Sequence, residues 1–138
     1  MPILDVEIVV ADSTDPSIGS PVPATKVQAG KALPAVLTQS LANEAVQVFE
    51  APPGTVWVKV RVIPSAHYAE NGGMPEGVHP VFVTVLKSRI PEGSALENEI
   101  TGLTQAIAKV LNRPAENVHI FYQPDGAGRV AFGGKLVE

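Results

Sequence analysis

The chain has 138 residues, 45% hydrophobic and 17% charged, enough to bury one core in a single domain or two fused half-units. A formal net charge of −4 with no Lys/Arg run excludes the basic face that nucleic-acid phosphates require, and no apolar stretch is long enough to span a bilayer. Without cysteine there are no disulfides, thiolate nucleophiles or Cys-type zinc sites, and His67, His79 and His119 have no metal-binding spacing, so neither a metal nor a cofactor is expected. The acidic start, with Asp5, Glu7 and Asp12, lacks the basic n-region of a signal peptide, and a cytoplasmic location is the default expectation.

Pro2 opens an apolar, strand-like run from Ile3 to Val10. Trimming of Met1 before this small residue leaves a secondary amine, which can serve as a base if cationic or apolar surroundings lower its pKa. Proline also suits the first position of a strand for purely structural reasons, because the N–H it lacks is dispensable there. The Pro/Gly/Ser/Asp-rich stretch 11–24 has the chemistry of a loop. Leu37, Leu41, Ala45, Val48 and Phe49 then form the apolar stripe of a helix. After the turn Ala51-Pro52-Pro53-Gly54, residues 56–62 alternate strictly, with valines on one face and Trp57, Lys59 and Arg61 on the other, as in a half-buried strand.

The second half repeats the first. Pro80-Val81-Phe82 matches Pro2-Ile3-Leu4 at an offset of 78, while Pro52 and Pro114, Val56 and Val118, and Leu41 and Leu103 all pair at 62. The difference of 16 residues locates an insert between the first strand and its helix, in the loop-like stretch at about 11–24. Leu96, Ile100, Leu103, Ile107, Val110 and Leu111 mark the second helix, with Ser94 as its expected N-cap and Glu97 completing a capping box. The spacing therefore predicts one α+β domain over 1–138. It comprises a β-α-β unit at 1–64 carrying the insert, a linker at 65–79, and a second unit with a C-terminal hairpin at 80–138. Parallel strands within each unit need a right-handed crossover helix, which places both helices on one face of a four-stranded mixed sheet. The other face carries Trp57, Lys59, Arg61, His119 and Phe121, too mixed for a dry core and too apolar for open water. Trimerisation around that face is the economical expectation.

These features together resemble the tautomerase superfamily, which includes 4-oxalocrotonate tautomerase, 5-carboxymethyl-2-hydroxymuconate isomerase and macrophage migration inhibitory factor. The resemblance is strongest from Val81 to Leu136, where strand, Arg89, helix, the Asn112-Arg113-Pro114 turn, strand and Phe132-Gly133-Gly134 hairpin follow in family order. It implies a homotrimer that uses an amino-terminal proline as base. Pro2 matches that proline, and Arg89 lies near the position where many members hold a substrate carboxylate. Pro80 matches it in the second unit but is internal, so its nitrogen is not basic and its role is structural. The chain also departs from the pattern. The second arginine of 4-oxalocrotonate tautomerase falls at Trp57 and His119, with Lys59 and Arg61 further along the same face. The paired arginines of the dehalogenase and malonate semialdehyde decarboxylase branches are replaced by Lys87-Ser88-Arg89.

The resemblance implies a cofactor-independent keto-enol tautomerase or isomerase acting on a small unsaturated 2-hydroxy or 2-keto acid. Pro2 would be the general base, and Arg89 would pair with the carboxylate through its planar fork. Lys59 or Arg61 would lower the proline pKa by charge, and Trp57 and Phe121 by desolvation; for Trp57, packing at an interface is the competing reading. His119 would donate to an enolate oxygen or bond across a subunit boundary. The alternatives are a decarboxylase, hydratase or dehalogenase on the same fold, or a trimeric binding protein without catalysis.

Overall fold

The computed structural model describes residues 2–11, 35–75 and 77–138; of the insert 11–24, only Ala11 lies among them. Strand β1, Ile3–Val10, occupies the centre of the sheet. Its residues Leu4, Val6 and Ile8 are completely buried, which fits the apolar side of the sequence alternation. β1 pairs in parallel with β2, Trp57–Pro64, and antiparallel with β3, Val81–Leu86. β3 pairs in parallel with β4, Val118–Tyr122, giving the order β2-β1-β3-β4. This is the mixed four-stranded sheet that the doubled β-α-β pattern predicts.

Helices α1, Ala35–Phe49, and α2, Gly93–Leu111, cover one face. They bury Leu37, Leu41, Ala45, Leu103, Ile107 and Leu111 in the core with the inward valines of β1 and β3. At 25 cal/mol per Å² of apolar surface, each large side chain buried here contributes roughly 1.5–3 kcal/mol before its ordering entropy is counted. Gly102 lets the helices approach, since a Cβ there would lie 3.2 Å from the Val48 side chain. A short hairpin follows β4, made of β5, Ala131–Phe132, and β6, Lys135–Leu136. Among the described residues no helix is long and apolar enough to cross a membrane.

One local expectation is corrected. Helix α2 begins at Gly93 with Glu92 in the capping position and no side-chain capping bond, so Ser94 is not the N-cap. Gly93 takes a positive φ of 60° and brings the chain into the helix two residues early, which leaves Ser94 inside the first turn.

The two helices end alike. Glu50 and Asn112, 62 residues apart, are the two non-glycine residues at positive φ among those described, at 51° and 53°. The following N–H donates back into each helix, Ala51 to the Val46 carbonyl and Arg113 to that of Ala108. Asparagine tolerates this left-handed cap, whereas glutamate meets its steric penalty and sets a negative charge at the negative end of the helix dipole. Glu50→Asn is therefore expected to stabilise the protein by about 0.5–1 kcal/mol in urea unfolding; a lowered midpoint would contradict this account of the cap.

Candidate active site

The open face of the sheet is ordered in cross-strand rows. Arg61, Glu7, Phe82 and His119 form one row, and Lys59, Asp5, Thr84 and Phe121 the next. Trp57, Ile3 and Leu86 form the third, at the end of the sheet where Pro2 leads into β1. Successive rows are about 7 Å apart, two residues along a strand. The register therefore sorts the residues singled out from the sequence by their distance from Pro2.

Pro2 is buried, and its carbonyl accepts a hydrogen bond from the Trp57 N–H at 3.1 Å, which ties the head of β1 to the start of β2. The Trp57 side chain remains 52% exposed. Its indole meets Phe132 of the hairpin edge-on, with ring centroids 5.2 Å apart. Together with Gly54 and Thr55, the two rings line an open pocket of about 250 Å³ beside the Pro2–Trp57 backbone bond. In the sequence Phe132 stands out only as part of the C-terminal hairpin and not as a site residue, because a hairpin folding back some 75 residues downstream of Trp57 leaves no periodic signal.

Arg89 is exposed in the loop after β3, which lies at the same end of the sheet because Ile3 pairs with Leu86. The loop is held by the Ile90 N–H to Asp125 Oδ1 at 2.8 Å and by the Gly126 N–H to the Lys87 carbonyl at 2.8 Å. Pro2, Trp57 and the Arg89 loop thus converge on one end.

The remaining residues lie further down the open face. Lys59 Nζ is 3.4 Å from Asp5 Oδ2, and Arg61 Nη2 is 3.2 Å from Asp5 Oδ1 and 3.3 Å from Glu7 Oε2. Both cations are thus balanced by carboxylates of β1. Asp5 Oδ1 is hidden from solvent yet accepts no hydrogen bond among the described residues, its contact with Arg61 being ionic in distance but poorly directed. His119 and Phe121 gather around Phe82, with centroids 5.4 and 6.3 Å away, and Tyr68 joins them at 5.6 Å. Phe121 is 55% exposed, so this aromatic cluster faces outward beside the charged rows.

A second group lies on the helix-covered face. Lys87 Nζ is 2.6 Å from Glu99 Oε1, with side chains only 17% and 10% exposed, and sits 4.9 Å from the centroid of the Phe49 ring. The Tyr122 hydroxyl donates to the other Glu99 oxygen at 2.5 Å. Burial, then the Glu99 carboxylate, push the Tyr122 phenol well above its ordinary range, so it remains a donor at physiological pH. Glu99 has no sequence signal because it sits in an otherwise ordinary polar stretch of helix. Among the described residues no three His, Asp or Glu side chains come close enough to hold a metal ion.

No protein-family model matches the sequence, and no curated protein matches it. Solved structures do match its fold. A fused 4-OT wild-type symmetric trimer is 18% identical with a TM-score of 0.67, over 98% of this chain and 94% of that one. Macrophage migration inhibitory factor from Oncomelania hupensis is 20% identical with a TM-score of 0.67, over 100% of this chain and 83% of that one. A homologue of that factor from Prochlorococcus marinus is 15% identical with a TM-score of 0.63, over 99% of each chain. The chain shares the fold of these structures, two β-α-β units forming a four-stranded mixed sheet with two helices on one face, as the resemblance implied.

Proposed function

We propose that this chain is a cofactor-independent keto-enol tautomerase or isomerase that acts as a homotrimer, with Pro2, freed of Met1, as its general base. The observation that carries this reading is that Pro2 stands at the buried head of the central strand, hydrogen-bonded through its carbonyl to Trp57, whose ring lines the pocket with Phe132, at the end of the sheet where the Arg89 loop also begins. Proton transfer next to a carbonyl needs a base of moderate pKa, a cation for the developing enolate and exclusion of water. The Pro2 amine takes the proton from the enol hydroxyl or the α-carbon and returns it at the other end of the conjugated system, so no atom is gained or lost. Arg89 pairs with the carboxylate, and the aromatic pocket receives the apolar part of a small unsaturated 2-hydroxy or 2-keto acid. The open face, with exposed Trp57 and Phe121, is the surface a trimer would cover. There Lys59, Arg61 and His119 serve the contact between subunits more directly than the chemistry. Engagement of Lys87 by Glu99 leaves Arg89 alone at the strand end, which favours proton transfer over the paired-cation chemistries of decarboxylation and dehalogenation.

The Pt0534 protein, 15% identical with a TM-score of 0.66, was inactivated by 2-oxo-3-pentynoate. The same electrophile is expected to modify this chain once, on the peptide that begins with Pro2, in intact-mass and peptide mapping. Modification elsewhere, or none, would contradict a nucleophilic amine at Pro2. Phe132→Ala is expected to raise KM about tenfold for an aryl substrate with less change in kcat, by removing one wall of the pocket. An unchanged KM would remove the pocket from the binding site.

A further inference from the structure

We propose that Lys87 is the cation that lowers the basicity of the Pro2 amine, and that Glu99 and Tyr122 position it and set how strongly it acts; this rests on Pro2 being the base. The register supplies the placement. Ile3 pairs with Leu86 in an antiparallel ladder, so Pro2 and Lys87 stand opposite each other one step beyond it. In the register of the sheet Ile3 is equivalent to Phe82, so the equivalent pair at the other end is Ile8 and Val81, which oppose each other directly in the same ladder. Directly opposed residues of an antiparallel pair have Cβ atoms about 4.5–5.5 Å apart, so the stem of Lys87 starts beside Pro2, and a charge in a partly buried setting acts over several ångströms. Both Pro2 and Lys87 follow the parity of Leu4 and Val85, the helix-covered face, on which the Lys87 ammonium lies against Phe49 and Glu99.

The internal repeat shows that the fold does not require this group. The counterparts of Lys87, Glu99, Tyr122 and Phe49 around Val81 are Ile8, Leu37, Val60 and Leu111, all apolar, with Ile8, Leu37 and Leu111 buried and Val60 packed against the core. A buried ion pair gains little stability over such a packed apolar set. Its presence only at the end that carries Pro2 therefore points to a task there. The cations expected to tune Pro2 from the sequence, Lys59 and Arg61, are one and two rows away on the opposite face of the sheet. Around Lys87 lie Glu99 from α2 and the uncharged Phe49 from α1, with the Tyr122 hydroxyl of β4 on the other oxygen of the same carboxylate; Arg89 follows two residues on, exposed in the loop. Asp5 and Glu7 project from the opposite face of the sheet.

The test is direct titration of the Pro2 nitrogen by NMR in protein carrying labelled proline, with Pro2 confirmed as the first residue by intact mass. Lys87→Met leaves Glu99 uncompensated and is expected to raise the Pro2 pKa by about one unit; Glu99→Gln leaves Lys87 uncompensated and is expected to lower it by a similar amount. Both changes break the same ion pair, so a merely structural role would move the two titrations in the same direction. Lys87→Arg, which keeps the charge, is expected to restore a near wild-type value and serves as the control for folding. Shifts of the same sign, or none, overturn the assignment even if the wild type is active. Opposite shifts in a protein without turnover would support it while removing the enzymatic reading. A chain that keeps Met1 overturns both.

Discussion

Replacing Pro2 with alanine is expected to lower kcat/KM by about 10²–10⁴-fold while the protein stays folded. The loss follows from the base itself. An alanine amine is primary, unconstrained by a ring, and no longer held at a fixed angle by the head of β1. The fold is insensitive to the change because the contact that ties this position to β2 is made by the backbone. The Trp57 N–H donates to the carbonyl of residue 2 whatever its side chain. Circular dichroism and the urea midpoint should therefore match the wild type. Activity within a few-fold of wild type would show that another group takes the proton.

The second large effect concerns stability at the opposite end of the sheet. Arg113 follows α2 and sends its guanidinium to the carbonyls of Val9 and His79, where β1 ends and the chain approaches Pro80. Burial lowers the Arg113 pKa, yet a guanidinium remains charged at any physiological pH. Arg113→Met would leave both carbonyls without this donor and is expected to destabilise the protein by about 2–4 kcal/mol in urea unfolding. The same substitution has a pH signature. Desolvation, and then the Arg113 charge, hold the His79 pKa below its ordinary value, so the unfolded chain takes up that proton first. The stability contributed by neutral His79 is present above about pH 6.5 and lost as the pH falls. With Arg113 gone, one of the two depressing causes disappears and the loss of stability from pH 7 to 5.5 should become shallower. An unchanged midpoint at pH 7 would show that the guanidinium bonds are dispensable.

The fold was legible because its signals are local and repeated. Strict alternation marked β2 and β4, the three-and-four stepping marked both helices, and the offset of 62 that linked the two turns and strands recurs in the left-handed conformation shared by Glu50 and Asn112. The start of α2 was misread because Ser-x-x-Glu is a local signature, and the positive φ of Gly93 overrode it. The candidate site was only half legible. Pro2 and Trp57 are neighbours across a parallel ladder whose register follows from the strands themselves. Phe132 and Glu99 reach the same end of the molecule by tertiary folding, which no period in the chain encodes. Charge was the least legible property. Lys59 and Arg61 looked free along β2, and the carboxylates that hold them, Asp5 and Glu7, became their neighbours only once β1 lay alongside.

The central claim, that the Pro2 amine is the base, is tested most directly by ketonisation of phenylenolpyruvate, followed by ultraviolet absorbance, with two preparations of otherwise identical protein. One begins at Pro2 by intact mass, and the other retains Met1, which turns the proline nitrogen into an amide with no basicity. Turnover well above the buffer rate in the first and at the buffer rate in the second is the predicted result. Equal turnover in both would contradict the account.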